Sequence, residues 1–130
     1  VERSGVLVGR SSQAKGRGGE LELAKILQAH GYDVSPGKPM SYGEEPDLSG
    51  LPMVHCEVKR CEQIRLADWM QQARQDAMRF QDGLPAIFFR KSRSKWCVVM
   101  ELEDWLQIYK GRGCKCNGRC GKSTGNPGKE

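Results

Sequence analysis

Residues 46–59 read P-D-L-S-G-L-P-M-V-H-C-E-V-K, from Pro46 to Lys59, and the way this stretch folds decides how the rest is read. Asp47 is followed by a small turn at Ser49, Gly50 and Pro52. The apolar-rich run Met53-Val54-His55-Cys56-Glu57-Val58-Lys59 comes next. As a β-strand that run alternates its side chains, with Glu57 and Lys59 on one face and Cys56 and Val58 on the other. The turn brings Asp47 alongside. Two acids and a lysine at the end of one strand are not what a solvated surface requires. They suit a site that holds a hard divalent cation through oxygen ligands and steers a water onto a phosphate.

On the N-terminal side, G-R-G-G-E-L-E-L-A-K-I-L-Q-A-H from Gly16, closed by Gly31, has the pattern of a helix with a glycine C-cap. Leu23, Ala24, Ile26 and Leu27 mark its expected buried face. At ~100° per residue, Glu20 lies about 40° from the centre of that face and Glu22 about 120° away. Glu22 is therefore read as a solvated charge. Glu20 turns inward, which is costly unless something positive or hydrogen-bonding meets it. Its position early in the helix, where the dipole favours an acid, is one explanation; a metal site shared with Asp47 and Glu57 is the better one. Tyr32-Asp33-Val34-Ser35 is expected to form a short strand, and 36–46 a loop in which Glu44 and Glu45 are solvated.

On the C-terminal side, Arg60 to Gln63 form a loop and a second helix is expected over 66–81. Its apolar stripe is Leu66, Trp69, Met70, Ala73, Ala77 and Phe80. Trp69 on that stripe reads as core rather than as a base-stacking residue. Gln72 sits on the shoulder of the stripe, next to Trp69 and Asp76 at helical neighbour spacing, where a half-buried glutamine reaching a metal-bound water or a phosphate and a plain surface glutamine are equally cheap readings. Asp82-Gly83 is expected to end the helix. Two buried strands, 84–89 and 94–100, then flank a basic hairpin tip that contains Arg90, Lys91, Arg93 and Lys95. Such a tip either discourages edge-to-edge aggregation or contacts phosphates, and beside an acidic metal site the second role is favoured. A final helix over 103–109 packs through Trp105, Leu106, Ile108 and Tyr109.

With 130 residues the chain has room for one domain. Its net charge of +5 is unevenly placed. Arg3, Arg10, Lys15 and Arg17 outweigh Glu2 in an N-terminal arm over 1–15 and its junction with the first helix. Arg112, Lys115, Arg119, Lys122 and Lys129 outweigh Glu130 in the tail over 111–130. The body between them is slightly acidic. Basic ends on an acidic body fit a metal site flanked by phosphate-touching arms, and fit equally well tails that only keep the chain soluble. Cys56, Cys61 and Cys97 read as small buried hydrophobes, reduced in the absence of a secretory signal. The tail is rich in glycine and expected to be disordered. Its Cys114, Cys116 and Cys120 offer zinc three thiolates, one ligand short of a closed site, so zinc is the lesser reading there. No apolar run approaches the ~20 residues of a membrane span, and the expected location is the cytoplasm of a bacterial or phage-infected cell.

Taken together, K-G-R-G-G-E (Lys15 to Glu20), P-D (Pro46-Asp47), E-V-K (Glu57 to Lys59) and Q-A (Gln72-Ala73) fall in a recognisable order. Over about residues 14–110 the chain resembles the PD-(D/E)xK nuclease superfamily, and within it the small Holliday-junction-resolvase-like endonucleases of phages, bacteria and archaea. The resemblance implies an α/β, restriction-endonuclease-like core: a central mixed β-sheet flanked by helices in the order α-β-β-β-α-β-β-α. It implies that Asp47, Glu57 and the Val58 carbonyl bind Mg²⁺, with Mn²⁺ as a substitute and Glu20 as a further ligand, direct or through water. Lys59 would orient or help deprotonate the attacking water, with Gln72 supporting that geometry. Arg10, Lys15, Arg17, Arg60, Arg90, Lys91, Arg93 and Lys95 are the candidate DNA contacts. The partner would be branched or duplex DNA, and the working form a homodimer. Two other functions compete with a structure-selective endodeoxyribonuclease. One is a general DNA-processing or restriction-like endonuclease with the same core. The other is a non-catalytic DNA-binding module with a zinc-stabilised tail, against which the costly acidic cluster argues.

Overall fold

The computed structural model describes residues 17–38 and 44–114, with side chains through residue 111. The N-terminal arm with Arg10 and Lys15, and the tail beyond 114 with Cys116 and Cys120, lie outside the described residues. The elements are α1 (17–29), β1 (Ser35–Pro36), β2 (Leu48–Ser49), β3 (Val54–Arg60), α2 (Leu66–Phe80), β4 (Leu84–Arg90), β5 (Cys97–Met100) and α3 (Leu102–Cys114). The chain divides into two compact units, Val1–Val99 and Met100–Glu130.

The five strands form one open, mixed sheet in the order β1-β2-β3-β4-β5. β1 with β2 and β2 with β3 are antiparallel, and β3 runs parallel to β4 from Val54↔Leu84 to Arg60↔Arg90. Parallel neighbours need a crossover, which α2 supplies. Being central, β3 is buried on both faces, from His55 through Val58. The register Glu57↔Ile87 and Lys59↔Phe89 puts these four side chains on the face that α2 covers, where Trp69, Ala73 and Ile87 form a buried cluster. Trp69 is core, tilted against Phe89 at 5.7 Å between ring centroids. On the opposite face α1 approaches so closely that a Cβ on Gly19 would stand 2.7 Å from the Arg60 Cβ.

Helix α1 ends as its sequence indicates. Gly31 has φ +96°, its N–H reaches the Gln28 carbonyl, and the Tyr32 N–H reaches that of Leu27, the paired bonds of a Schellman cap. Its buried contacts concentrate in Gly19, Leu23 and Ala24, with Leu27 half-buried. Ile26, two turns beyond Gly19, is 38% exposed rather than buried. The first strand is Ser35–Pro36 instead of 32–35, because the Tyr32 N–H is committed to the cap. Pro36, which has no N–H to give, sits on the edge strand where this costs least. Leu48–Ser49, read from sequence as the start of a turn, pairs as β2.

Helix α2 keeps its stripe at Trp69, Ala73 and Ala77, but Leu66 at its start is exposed. Its cap is Gln81, in the left-handed region at φ 51°, with its N–H on the Ala77 carbonyl; Asp82-Gly83 lies beyond. β5 is shorter than the expected strand over 94–100. As an edge strand with one neighbour it leaves Cys97 and Val98 exposed, so Cys97 is not a buried hydrophobe. Considered alone, α3 runs past 109 to Cys114, so residues 111–114, expected to begin a disordered tail, are helical. Trp105 and Tyr109 on it stack on each other, 5.0 Å apart and 17° from parallel, and both are exposed rather than core.

Candidate functional site

The site begins where β2 stops pairing with β3. The ladder ends at Leu48↔Cys56. Two residues on, the Val58 N–H is taken by the Asp47 carboxylate, through Oδ2 at 2.9 Å. A buried N–H needs a partner, and this one fixes Asp47 against the middle of the central strand. Val58, the expected carbonyl ligand, is thus held directly beside Asp47.

Glu57 is 4% exposed. Its Oε2 is 3.5 Å from the Lys59 Nζ, two residues along on the same face. Gln72 from α2 accepts a hydrogen bond from that Nζ at 3.1 Å. The resemblance implies that Gln72 supports Lys59; Gln72 is exposed, the surface position that periodicity left open beside a half-buried one. Glu20 comes in from α1, its Oε1 3.5 Å from the Arg17 guanidinium, which also donates to the Gly37 carbonyl. Glu20 interacts with Asp47, and Asp47 in turn with Glu57 and Lys59, so these four and Gln72 belong to one interacting cluster.

Charge is crowded there. Burial pushes Glu20 up to about 7, helped by the Asp47 charge and opposed by Arg17. Burial likewise raises Asp47 to about 6, helped by Glu57 and opposed by the Val58 N–H, Lys59 and His55. Asp47 is the common member, repelled by Glu20 and by Glu57. Carboxylates brought together out of water resist ionising together unless a cation joins them. The donor set fits Mg²⁺: oxygens only, a few carboxylates, one already oriented by a main-chain N–H.

Three residues that the sequence reading passed over belong here too. His55 lies on the same face of β3 as Glu57, two residues earlier, and is fully buried. Its Nδ1 is 2.8 and 3.0 Å from the two carboxylate oxygens of Asp82, the residue read only as a helix terminator. Asp76, one turn beyond Gln72 on α2, brings a carboxylate to the same place. Its pKa is raised, by burial first and then by the charge of Glu57. Burial opposes a charge on His55, but the Glu57 and Asp82 carboxylates outweigh it and raise its pKa. The period-2 spacing of His55 and Glu57 was the available signal.

The expected DNA contacts divide. Lys91, Arg93 and Lys95 are exposed at the β4–β5 tip. The tip follows Arg90, which pairs with Arg60 immediately beyond Lys59, so it stands at the same end of the parallel strands as the lysine. Arg90 itself is engaged in the fold: its guanidinium is 3.2 Å from Glu22 Oε2 and bonds the Ser94 carbonyl at 3.2 Å. Glu22, expected to be solvated, also accepts from the Trp96 indole at 3.1 Å. Arg60 lies 3.5 Å from Glu62, whose carboxylate takes the Ser92 N–H and hydroxyl and ties the tip down. Arg17 is occupied by Glu20 and Gly37. Glu45, also read as solvated, accepts from the Lys38 N–H at 3.1 Å.

No protein-family model matches the chain, and no curated protein matches it. Among the described residues, no helix is long and apolar enough to cross a membrane.

Proposed function

We propose that the chain is a Mg²⁺-dependent endodeoxyribonuclease of the PD-(D/E)xK type, acting on branched DNA such as a four-way junction. One observation carries the reading: Asp47, pinned by the Val58 N–H, interacts with both Glu20 and Glu57, while Lys59 stands between Glu57 and Gln72. Such a set of side chains suits in-line hydrolysis of a phosphodiester: acids to hold a cation and an ammonium to meet the attacking water and the phosphate.

Asp47, Glu57 and the Val58 carbonyl would hold the ion, with Glu20 as a further ligand. Bound Mg²⁺ supplies a more acidic water and neutralises phosphate charge. The Lys59 ammonium, steadied by the Gln72 carbonyl, has two further N–H groups to orient the attacking oxygen and to offset the charge on the phosphate. Asp47 stays put because its second oxygen is committed to the main chain. Attack by water and departure of the 3′ oxygen leave a 5′-phosphate and a 3′-hydroxyl. The exposed Lys91, Arg93 and Lys95 are the described residues best placed to meet the DNA backbone. A resolvase-like cut of two opposed strands requires two copies of the site, hence a symmetric dimer.

The test is cleavage of a labelled four-way junction beside linear duplex of the same sequence, with Mg²⁺, for the wild type, Asp47→Asn and Lys59→Ala. Symmetric junction nicking that both substitutions abolish is the expected result. Equal cleavage of every duplex would keep the chemistry and replace junction selectivity with general DNA processing. Absence of cleavage with Mg²⁺ and with Mn²⁺, while junction binding persists, would overturn the nuclease reading.

A further inference from the structure

The nuclease mechanism gives His55 no task, yet its surroundings are costly. The residue is fully buried in the central strand. Its ring stacks on Phe80 at 6.4 Å between centroids and 17° between planes. Nδ1 faces both oxygens of Asp82, and an ionised carboxylate only accepts, so Nδ1 carries the hydrogen. Nε2, at the other side of the ring, is shut off from solvent and has no hydrogen-bond partner. It faces Glu57 Oε1 at 3.6 Å. A ligand atom from each of His55, Glu57 and Asp76 lies within 4.8 Å of the other two.

In the neutral ring that Asp82 orients, Nε2 is a lone pair facing the Glu57 carboxylate. Two arrangements relieve this: a second proton on the ring, or a cation among the three ligands. The spacing favours the cation. A charge-assisted N–H···O contact closes to about 2.8 Å, whereas ligands bound about 2.1 Å from a metal stand roughly 3–4 Å from one another. The Asp82–Nδ1 bond is also the outer contact by which carboxylates orient metal-binding imidazoles.

We propose that His55, Glu57 and Asp76 form a second cation site, adjacent to the one at Asp47, which prefers a transition ion of the Mn²⁺ or Zn²⁺ class over Mg²⁺. Glu57 serves both, with Oε1 toward His55 and Oε2 toward Lys59. The imidazole nitrogen sets the preference, since Mg²⁺ favours oxygen alone. The site stands independently of the nuclease reading, because its signature is a metal–nitrogen bond and not cleavage.

Mn²⁺ is the probe, since thiolates such as those of the tail select Zn²⁺. The full chain is used in a His30→Gln background, which removes the other of its two histidines. Calorimetric titration should show Mn²⁺ binding at least about tenfold more tightly than Mg²⁺. Pulsed electron paramagnetic resonance of bound Mn²⁺ should show coupling to one ¹⁴N nucleus. Asp76→Asn and Asp82→Asn should each weaken Mn²⁺ binding about tenfold or more, with circular dichroism confirming that both fold. Asp47→Asn should keep the nitrogen coupling while losing cleavage. Bound Mn²⁺ without ¹⁴N coupling, or a preference for Mg²⁺, would overturn the site, and that result is read on protein with an intact cluster.

Discussion

Asp47 accepts one main-chain hydrogen bond and is repelled by acids on two sides, an arrangement with a definite consequence for pH. Glu20 is raised to about 7 from 4.5 and Asp47 to about 6 from 3.8, so between these limits the folded state holds protons that the unfolded chain has released. Stability therefore falls as pH rises through that window. His55, raised as well, acts in the same direction: its contribution is complete below its unfolded value and disappears as pH climbs through the folded one. The metal-free protein should melt at a lower temperature at pH 7.5 than at pH 5, and Asp47→Asn should flatten the decline. Added Mg²⁺ should raise the melting temperature more at pH 7.5, since it binds the ionised carboxylates. Equal Mg²⁺ stabilisation at both pH values would count against these acids as the ligands. On the proposed nuclease mechanism, Gln72→Ala should lower kcat about tenfold or more with KM little changed, because it loosens Lys59 rather than the DNA. The residues of this cluster were legible where strand alternation and a turn sufficed, as for Asp47, Glu57 and Lys59. His55 escaped because a histidine in an apolar run reads as core, and Asp82 because an Asp-Gly pair reads as punctuation.

Among the elements, α1 meets β3 at Gly19, and that contact is testable with two neighbouring glycines. A Cβ at Gly19 would stand 2.7 Å from the Arg60 Cβ, whereas one at Gly18 meets nothing within 4 Å. Gly18→Ala should stabilise the fold by about 0.5 kcal/mol through helix propensity. Gly19→Ala gains the same propensity but forces the helix off the sheet, for a net loss of about 1–2 kcal/mol in a urea melt. The β4–β5 hairpin divides its basic residues in a similar way. Replacing Lys91, Arg93 and Lys95 by Ala should weaken DNA binding, flatten its dependence on log salt by up to about three, and leave stability nearly unchanged. Arg90→Ala should instead lower stability, because it strips Glu22 of its ion pair. Sequence periodicity found α2 and β4 almost to the residue. It missed β2 and misplaced β1, because two-residue strands carry no period and their existence depends on what β3 offers as a neighbour.

For the whole molecule, dimerisation follows from the resolvase reading: sedimentation of the protein on a junction should give two chains per DNA. More general is the place of Cys56, wholly buried one position before Glu57, paired with Leu48 on one side and Ala86 on the other. Burial pushes its thiol up to about 12, with Asp82 and Asp47 adding to the effect. A protonated, sealed sulfur does not react with alkylating reagents. In a variant whose other cysteines are serine, each modification of Cys56 therefore records a moment when β3 has parted from its neighbours. Strand β3 thus carries its own clock: the labelling rate reads how often the centre of the sheet comes open, and its change on adding divalent ions tests whether a bound cation keeps it shut.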